Sequence, residues 1–165
     1  MKQINQSYMD FVVNVFDVDF AEPPDSAEPI DVYDVEQLTS YLEREMLPYF
    51  ESLSPKWKNG TRETLEYNLV RHSQPGDNTF ERHMGRSFLR PDKDYAGFFR
   101  TIWDVLFPGE EPKLRDDEEY EEIDDHKATW DVEWNLARMA ENPTFVANLE
   151  AQIAIGRKFI EDDTI

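Results

Sequence analysis

The sequence predicts a mainly α-helical fold, a compact single acidic domain over residues 1–165 with about five to seven helices. Two observations favour it. Apolar residues recur at the three- and four-residue spacing of amphipathic helices, and proline- and glycine-containing turns separate these segments. Aromatic residues make up 13% of the chain, which is enough for a core, and there is no cysteine to form a disulfide. The alternative is an α+β fold with one short strand or hairpin near the N-terminus.

The first apolar segment, residues 7–20, fits either a helix or a strand. Ser7 and Asp10 have the spacing of a helix-capping pair, and the apolar residues that follow have helical spacing. The segment is also rich in β-branched residues and allows strand-like alternation. We favour the helix. Residues 21–30 contain three prolines and predict a proline-rich loop.

Residues 34–53 predict the clearest helix. Asp34 is a favourable N-cap, and the apolar residues that follow form one stripe along the helix. Pro48 is expected to kink or split this helix because proline lacks the N–H that an interior position needs. Residues 55–60, which begin with proline and end with glycine, predict a turn.

The middle of the chain predicts two further helices. Thr61 is a candidate cap for a short helix that ends before a turn at 74–77. Residues 79–90 predict a weak helix or an irregular segment. Asp92 is a candidate cap for a strongly apolar helix that runs to about Phe107.

The last part of the chain predicts two more helices, over 126–141 and from Asn142 onward. Trp130 and Trp134 fall on one face of the first, and other apolar residues fall nearly opposite. A helix that is apolar on two sides is typical of a buried core position. The alternative is that one face binds a second copy of the chain, as a homodimer.

The charge of the chain is unusual in size and in distribution. Asp and Glu number 36 against 17 Lys and Arg, a net charge of −19, whereas a small soluble domain carries a magnitude of about 2–8. Residues 1–60 have net charge −8, residues 61–107 are neutral, and residues 108–165 have net charge −11. This charge opposes direct binding to nucleic acid or to an anionic membrane surface.

Residues 110–125 form an acidic tract with ten acids and two bases. A helix rises 1.5 Å per residue, so consecutive acids on a helix or short loop approach the one charge per ~1.7 Å of duplex DNA. The alternative is a solvated linker, the usual role of a block of like charge. We expect the tract to bind a partner through Asp116, Asp117, Glu118, Glu119, Tyr120, Glu121, Glu122, Asp124 and Asp125.

The motifs of common enzyme classes are missing from the sequence. Neither phosphate-binding pattern, GxxxxGK[ST] or GxGxxG, is present, and the histidines do not form an HExxH pair. We therefore expect a non-enzymatic protein with no catalytic residue, no cofactor and no metal. A signal peptide and a membrane-spanning apolar run are also missing, so we expect a cytoplasmic protein.

In size, charge, helix content and lack of cysteine, the chain resembles the DNA mimics of phages and plasmids that inhibit restriction or other defence enzymes. It also resembles acidic immunity proteins that neutralise nuclease toxins. The first resemblance implies an inhibitor that blocks the basic surface of a nucleic-acid-handling partner, with Tyr33 and Tyr120 as candidate contacts. An immunity protein is the alternative function. A structural or adaptor protein whose charge serves solubility is the second alternative.

Overall fold

The structure is a computed structural model, and it describes residues 1–14, 30–85, 87 and 89–129. Predicted features outside these ranges are residues 15–20 of the first apolar segment, the 21–30 loop up to its last residue, and the C-terminal helices beyond Thr129. The face that carries Trp130 and Trp134 is outside them as well. In chain order the described elements are β1 (Lys2–Asn5), a 3-10 turn (Gln6–Tyr8), α1 (Met9–Asn14), α2 (Val35–Glu51), α3 (Pro55–Arg71), α4 (Thr79–His83), α5 (Tyr95–Leu106), β2 (Tyr120–Ile123) and α6 (His126–Thr129).

The described chain is mostly helical, as predicted. Within the described ranges four helices have six residues or more, namely α1, α2, α3 and α5, and two shorter segments add about one turn each. The number of substantial helices there is therefore lower than the predicted five to seven. In the same part of the chain, no helix is both long and apolar enough to cross a membrane.

The core lies where α2 and α3 pack against α5. Helix α5 contributes the largest share of it, because six of its twelve residues have buried apolar side chains. Phe99 stacks on Phe80 of α4 with ring centroids 4.5 Å apart, and Phe107, just after α5, meets Phe50 of α2 edge to face at 5.6 Å. The fully buried large side chains include Leu38, Leu42, Met46, Leu65, Ile102 and Trp103.

Helix α2 confirms its predicted cap and corrects one expectation. The Asp34 carboxylate accepts hydrogen bonds from the N–H groups of Glu36 and Gln37, at 3.0 and 3.1 Å. Pro48 lies inside the helix, which continues unbroken to Glu51, so the predicted split is wrong. Because Pro48 lies in the last turn, it removes one helical hydrogen bond with little helix left to displace.

The predicted turn at 55–60 is wrong, since α3 begins at Pro55. Ser54 caps the helix by accepting from the N–H of Trp57 at 3.3 Å. Proline is favourable at the first helical position, where its missing N–H has no partner to lose. Thr61 is consequently not a cap; it is fully buried in the middle of α3.

The cap of α5 is Asp94, two residues after the predicted Asp92. Asp94 adopts a left-handed conformation with φ of 50° and accepts from the N–H of Gly97 at 3.1 Å. The Asp92 carboxylate instead accepts a hydrogen bond from the Tyr33 hydroxyl. The predicted turn at 74–77 is confirmed.

The described β structure is one parallel pair, β1 with β2, whose register runs from Lys2 opposite Tyr120 to Asn5 opposite Ile123. The predicted short strand near the N-terminus is present as β1, which precedes residues 7–20 and pairs with a strand far along the chain rather than in a hairpin. Ser7 does not cap a helix; its hydroxyl donates to the Asp124 carboxylate at 2.7 Å.

Helix α3 lies very close to the 3-10 turn at Gly60. A Cβ atom added at Gly60 would lie 2.4 Å from the ring of Tyr8. That ring is held in place, because it also packs edge to face against Trp57 with centroids 5.1 Å apart. Only glycine allows this approach of the N-terminal segment to α3.

We predict that Gly60→Ala lowers the free energy of unfolding by about 1–3 kcal/mol, the usual cost of overpacking. The gain in helix propensity, about 1 kcal/mol, does not offset the displaced Tyr8 ring. Urea unfolding measures the change, with the exposed Asn59→Ala of the same helix as control. In a Tyr8→Ala background Gly60→Ala should become neutral or stabilising; the same loss in both backgrounds would contradict the assigned contact.

Candidate acidic binding surface

The acidic tract is anchored at its start by α3 and α5. The backbone C=O of Glu110 accepts from the indole N–H of Trp103 at 2.7 Å, and the Glu110 carboxylate pairs with Arg62. The hydrogen bond between the two groups raises the pKa of Arg62 and lowers the pKa of Glu110. The Arg62 guanidinium also lies over the Phe107 ring at 5.1 Å. The neighbouring Glu111 pairs with Arg100 at 2.8 Å.

The middle of the tract is held together by a hydrogen bond from its own backbone to Tyr120. The N–H of Arg115 donates to the Tyr120 hydroxyl at 3.0 Å, and the Arg115 guanidinium contacts both carboxylate oxygens of Asp117, at 3.1 and 3.2 Å. The Tyr120 ring packs against Tyr67 of α3 with centroids 5.7 Å apart. Tyr120 is therefore half-buried and holds the tract on α3.

Strand β2 is fixed to the end of α3 through Glu122. One Glu122 carboxylate oxygen accepts from the Tyr67 hydroxyl at 3.0 Å and lies 2.9 Å from Nε2 of His72. The other ring nitrogen of His72, Nδ1, lies 2.8 Å from the carboxylate of Asp77. His72 therefore links the acidic strand to the turn at 74–77.

The end of the tract is held by Asn5. Its side-chain amide donates to the C=O of Asp125 at 2.9 Å and accepts from the N–H of Asp125 at 3.0 Å. This pair of bonds extends the backbone ladder of the two strands by one step. Together with the bond from Ser7 to Asp124, it places the whole tract against the N-terminal segment.

Several acids of the tract remain directed to solvent. Asp116, Glu119 and Glu121 are exposed and Glu118 is half-buried. In the described part of the chain no lysine or arginine forms an ion pair with any of these four. The tract is irregular or extended, with no helix between α5 and α6, so of the two expected forms, helix or short loop, the helix is wrong. Along a strand, side chains of one face recur only about every 6.6 Å.

His72 is the group whose protonation controls these contacts. Burial lowers its pKa, but the hydrogen bonds to Asp77 and Glu122 outweigh burial and raise the pKa overall. The hydrogen bonds from Thr79 and His72 lower the pKa of Asp77 to about 2. Only a doubly protonated imidazole donates to both carboxylates.

This cluster does not have the geometry of a catalytic or metal site. Thr79 Oγ1 lies 3.3 Å from Nδ1, the nitrogen already bonded to Asp77, and Nε2 is bonded to Glu122. No ring nitrogen is left to accept a proton from a nucleophile. The two carboxylates lie on opposite sides of the ring, and among the described residues no three acidic or histidine side chains converge on a metal position.

The structure brings all nine predicted binding residues into one ordered segment. Six of them also form side-chain contacts within the chain: Asp117, Tyr120, Glu121, Glu122, Asp124 and Asp125. That they bind a partner stays a prediction. Tyr33, the other predicted contact, is 47% exposed, and its hydroxyl bonds to residues just before α5. The residues that hold the tract and that the sequence did not indicate are Asn5, Arg62, Tyr67, His72 and Arg100.

Nothing matches this chain in comparisons with models of known families, with proteins of curated function, or with solved structures. The geometry of the tract therefore carries the functional interpretation.

We predict a pH dependence of stability that depends on His72. Because its pKa is raised in the folded state, its contribution is complete below the unfolded value of 6.5 and is lost as pH rises through the folded value. The contribution of Asp77 is complete above 3.8 and is lost as pH falls towards about 2. We call the contacts of His72 with Asp77 and Glu122 the His72 clamp. Its contribution to stability is therefore greatest between about pH 4 and 6.5.

Relative to His72→Gln, the wild-type chain should be more stable by about 1–2 kcal/mol at pH 5.5, and this advantage should shrink at pH 8.5. Urea unfolding at the two pH values measures it. The control is His126→Gln, because the His126 side chain is 67% exposed. A stability difference that is the same at both pH values would rule out the His72 clamp.

Proposed function

We propose that the protein is a non-enzymatic inhibitor that binds and blocks the basic nucleic-acid-binding surface of a partner. The observation that supports this most is the ordered acidic tract. Its backbone is held by α3, α5 and β1, while the carboxylates of Asp116, Glu119 and Glu121 are left exposed. Fixed charges of one sign steer a partner of opposite charge and set its orientation.

The short extent of the charged strand favours one cognate partner over general mimicry of duplex DNA. Strand β2 has four residues, about 13 Å at ~3.3 Å per residue, whereas duplex DNA presents a charge per ~1.7 Å of axis along its whole length. A partner that fits this surface must match its shape as well as its sign. This need to match shape as well as charge favours the alternative function, an immunity protein that neutralises a nuclease toxin.

We predict that removing three exposed charges of the tract weakens partner binding. The variant is Asp116→Asn, Glu119→Gln and Glu121→Gln, which leaves Glu122 and its bonds to His72 intact. Its matched control removes three exposed charges from α2, in Glu36→Gln, Glu43→Gln and Glu45→Gln. The loss of affinity should be roughly tenfold or more at low salt for the tract variant and small for the control.

The measurement begins with capture of partners by the tagged wild-type chain, followed by titration of each captured protein with both variants. The wild-type chain should also displace nucleic acid from the captured partner. Equal affinity of the two variants would contradict the role of the tract. A partner that still binds its nucleic acid when saturated with this protein would contradict inhibition and favour the structural or adaptor alternative.

A further inference from the structure

Strand β2 has one paired edge and one open edge. The N–H of Lys2 donates to the C=O of Glu119 at 2.7 Å, and Lys2 lies opposite Tyr120. In a parallel pair the backbone groups of successive residues point to alternate sides. The N–H and C=O groups of Glu121 therefore face β1, and those of Tyr120 and Glu122 face away from it.

On the opposite edge of the sheet, helix α3 packs beside β1 and takes up one outward backbone group. The C=O of Asn5, which points away from β2, accepts from the hydroxyl of Thr64 in α3 at 3.1 Å. On the β2 side, no residue in the described ranges bonds to the backbone N–H of Tyr120 or Glu122. The N–H groups of Tyr120 and Glu122 thus form an open edge within the acidic tract.

The charge beside the open edge selects its occupant. Glu119, just before β2, and Glu121 within it are exposed. A second copy paired edge to edge would bring these carboxylates against their equivalents, and like charges directly opposite each other destabilise a strand pair. A segment that carries lysine or arginine replaces this repulsion with attraction.

We propose that β2 accepts an extended, lysine- or arginine-bearing segment of a partner protein as the third strand of the sheet. The inference rests on the proposed function and specifies how the partner binds. The backbone groups of Tyr120 and Glu122 supply the hydrogen bonds, and the exposed carboxylates select cationic side chains. A third strand also stabilises a sheet that is marginal with two.

Amide hydrogen exchange tests this proposal, measured by NMR on the full-length 15N-labelled chain. The probe is a synthetic peptide of alternating lysine and valine. We expect it to slow exchange at Tyr120 and Glu122 roughly tenfold or more. Glu121 and Ile123, whose N–H groups face β1, should change little. The control is the same peptide with every backbone amide N-methylated, which keeps the charge and should bind at least roughly tenfold more weakly.

The outcomes separate the strand proposal from the proposed function. If both peptides bind equally and the two amides are unchanged, strand addition is wrong, but charge attraction by the tract stands. If neither peptide binds, strand addition is also wrong, and the three-charge variant still decides the proposed function. If Tyr120 and Glu122 are already protected in the free chain, the edge is occupied and the proposal fails.

A charge-swapped variant gives a second test. Glu119→Lys with Glu121→Lys leaves the backbone bonds to β1 in place and reverses the charge beside the open edge. This variant should no longer bind the lysine peptide, and it should bind a matched peptide of alternating glutamate and valine. Retention of the lysine peptide with unchanged affinity would overturn the role of these carboxylates.

Discussion

The pairing of β1 with β2 is the interaction on which the acidic surface depends. It joins the first residues of the chain to a strand 118 positions later. A two-stranded sheet is marginal in water by itself. Here Ile4 of β1 is buried in the protein, Tyr120 of β2 packs on Tyr67, and Asn5 extends the ladder to Asp125. Without β1, Glu119 and Glu121 would lose the backbone pairing that fixes their positions.

The neutral middle of the chain supplies the cations that position this surface. Arg62 and Arg100 pair with the first two acids of the tract, and His72 pairs with Glu122. The two arginine side chains are 37% and 40% exposed, so each ion pair contributes about 0–1 kcal/mol. They position the tract more than they stabilise it. The packing of Tyr120 on Tyr67 and the Trp103 bond to the backbone of Glu110 anchor the tract beside them.

Features of the fold that depend on local sequence could be predicted, and those that depend on distant contacts could not. The Asp34 cap and the apolar helix α5 follow from residues within one or two turns. Pro55 was ambiguous because proline is common both in turns and at the first position of a helix. Asp92 and Asp94 are equally suited to capping by residue type, and only the packed structure distinguishes them.

The same limit applies to the candidate site. The acidic residues themselves were visible as a block of charge. Their strand was not, since glutamate is depleted in β-strands and the partner β1 is far away in the sequence. Nor did any local signal mark Asn5 or His72, because a lone polar residue gains its role only when folding brings the tract beside it.

Order in the tract also decides how well it can recognise a partner. A flexible acidic linker would lose about 1–2 kcal/mol of backbone entropy for each residue that becomes fixed on binding. Residues 120–123 are already fixed by β1, so a partner meets them without this cost. Keeping Glu118, Glu119 and Glu121 close together disfavours the folded state through repulsion. A cationic partner relieves that repulsion, which makes binding more favourable at this ordered strand than at a linker of the same composition.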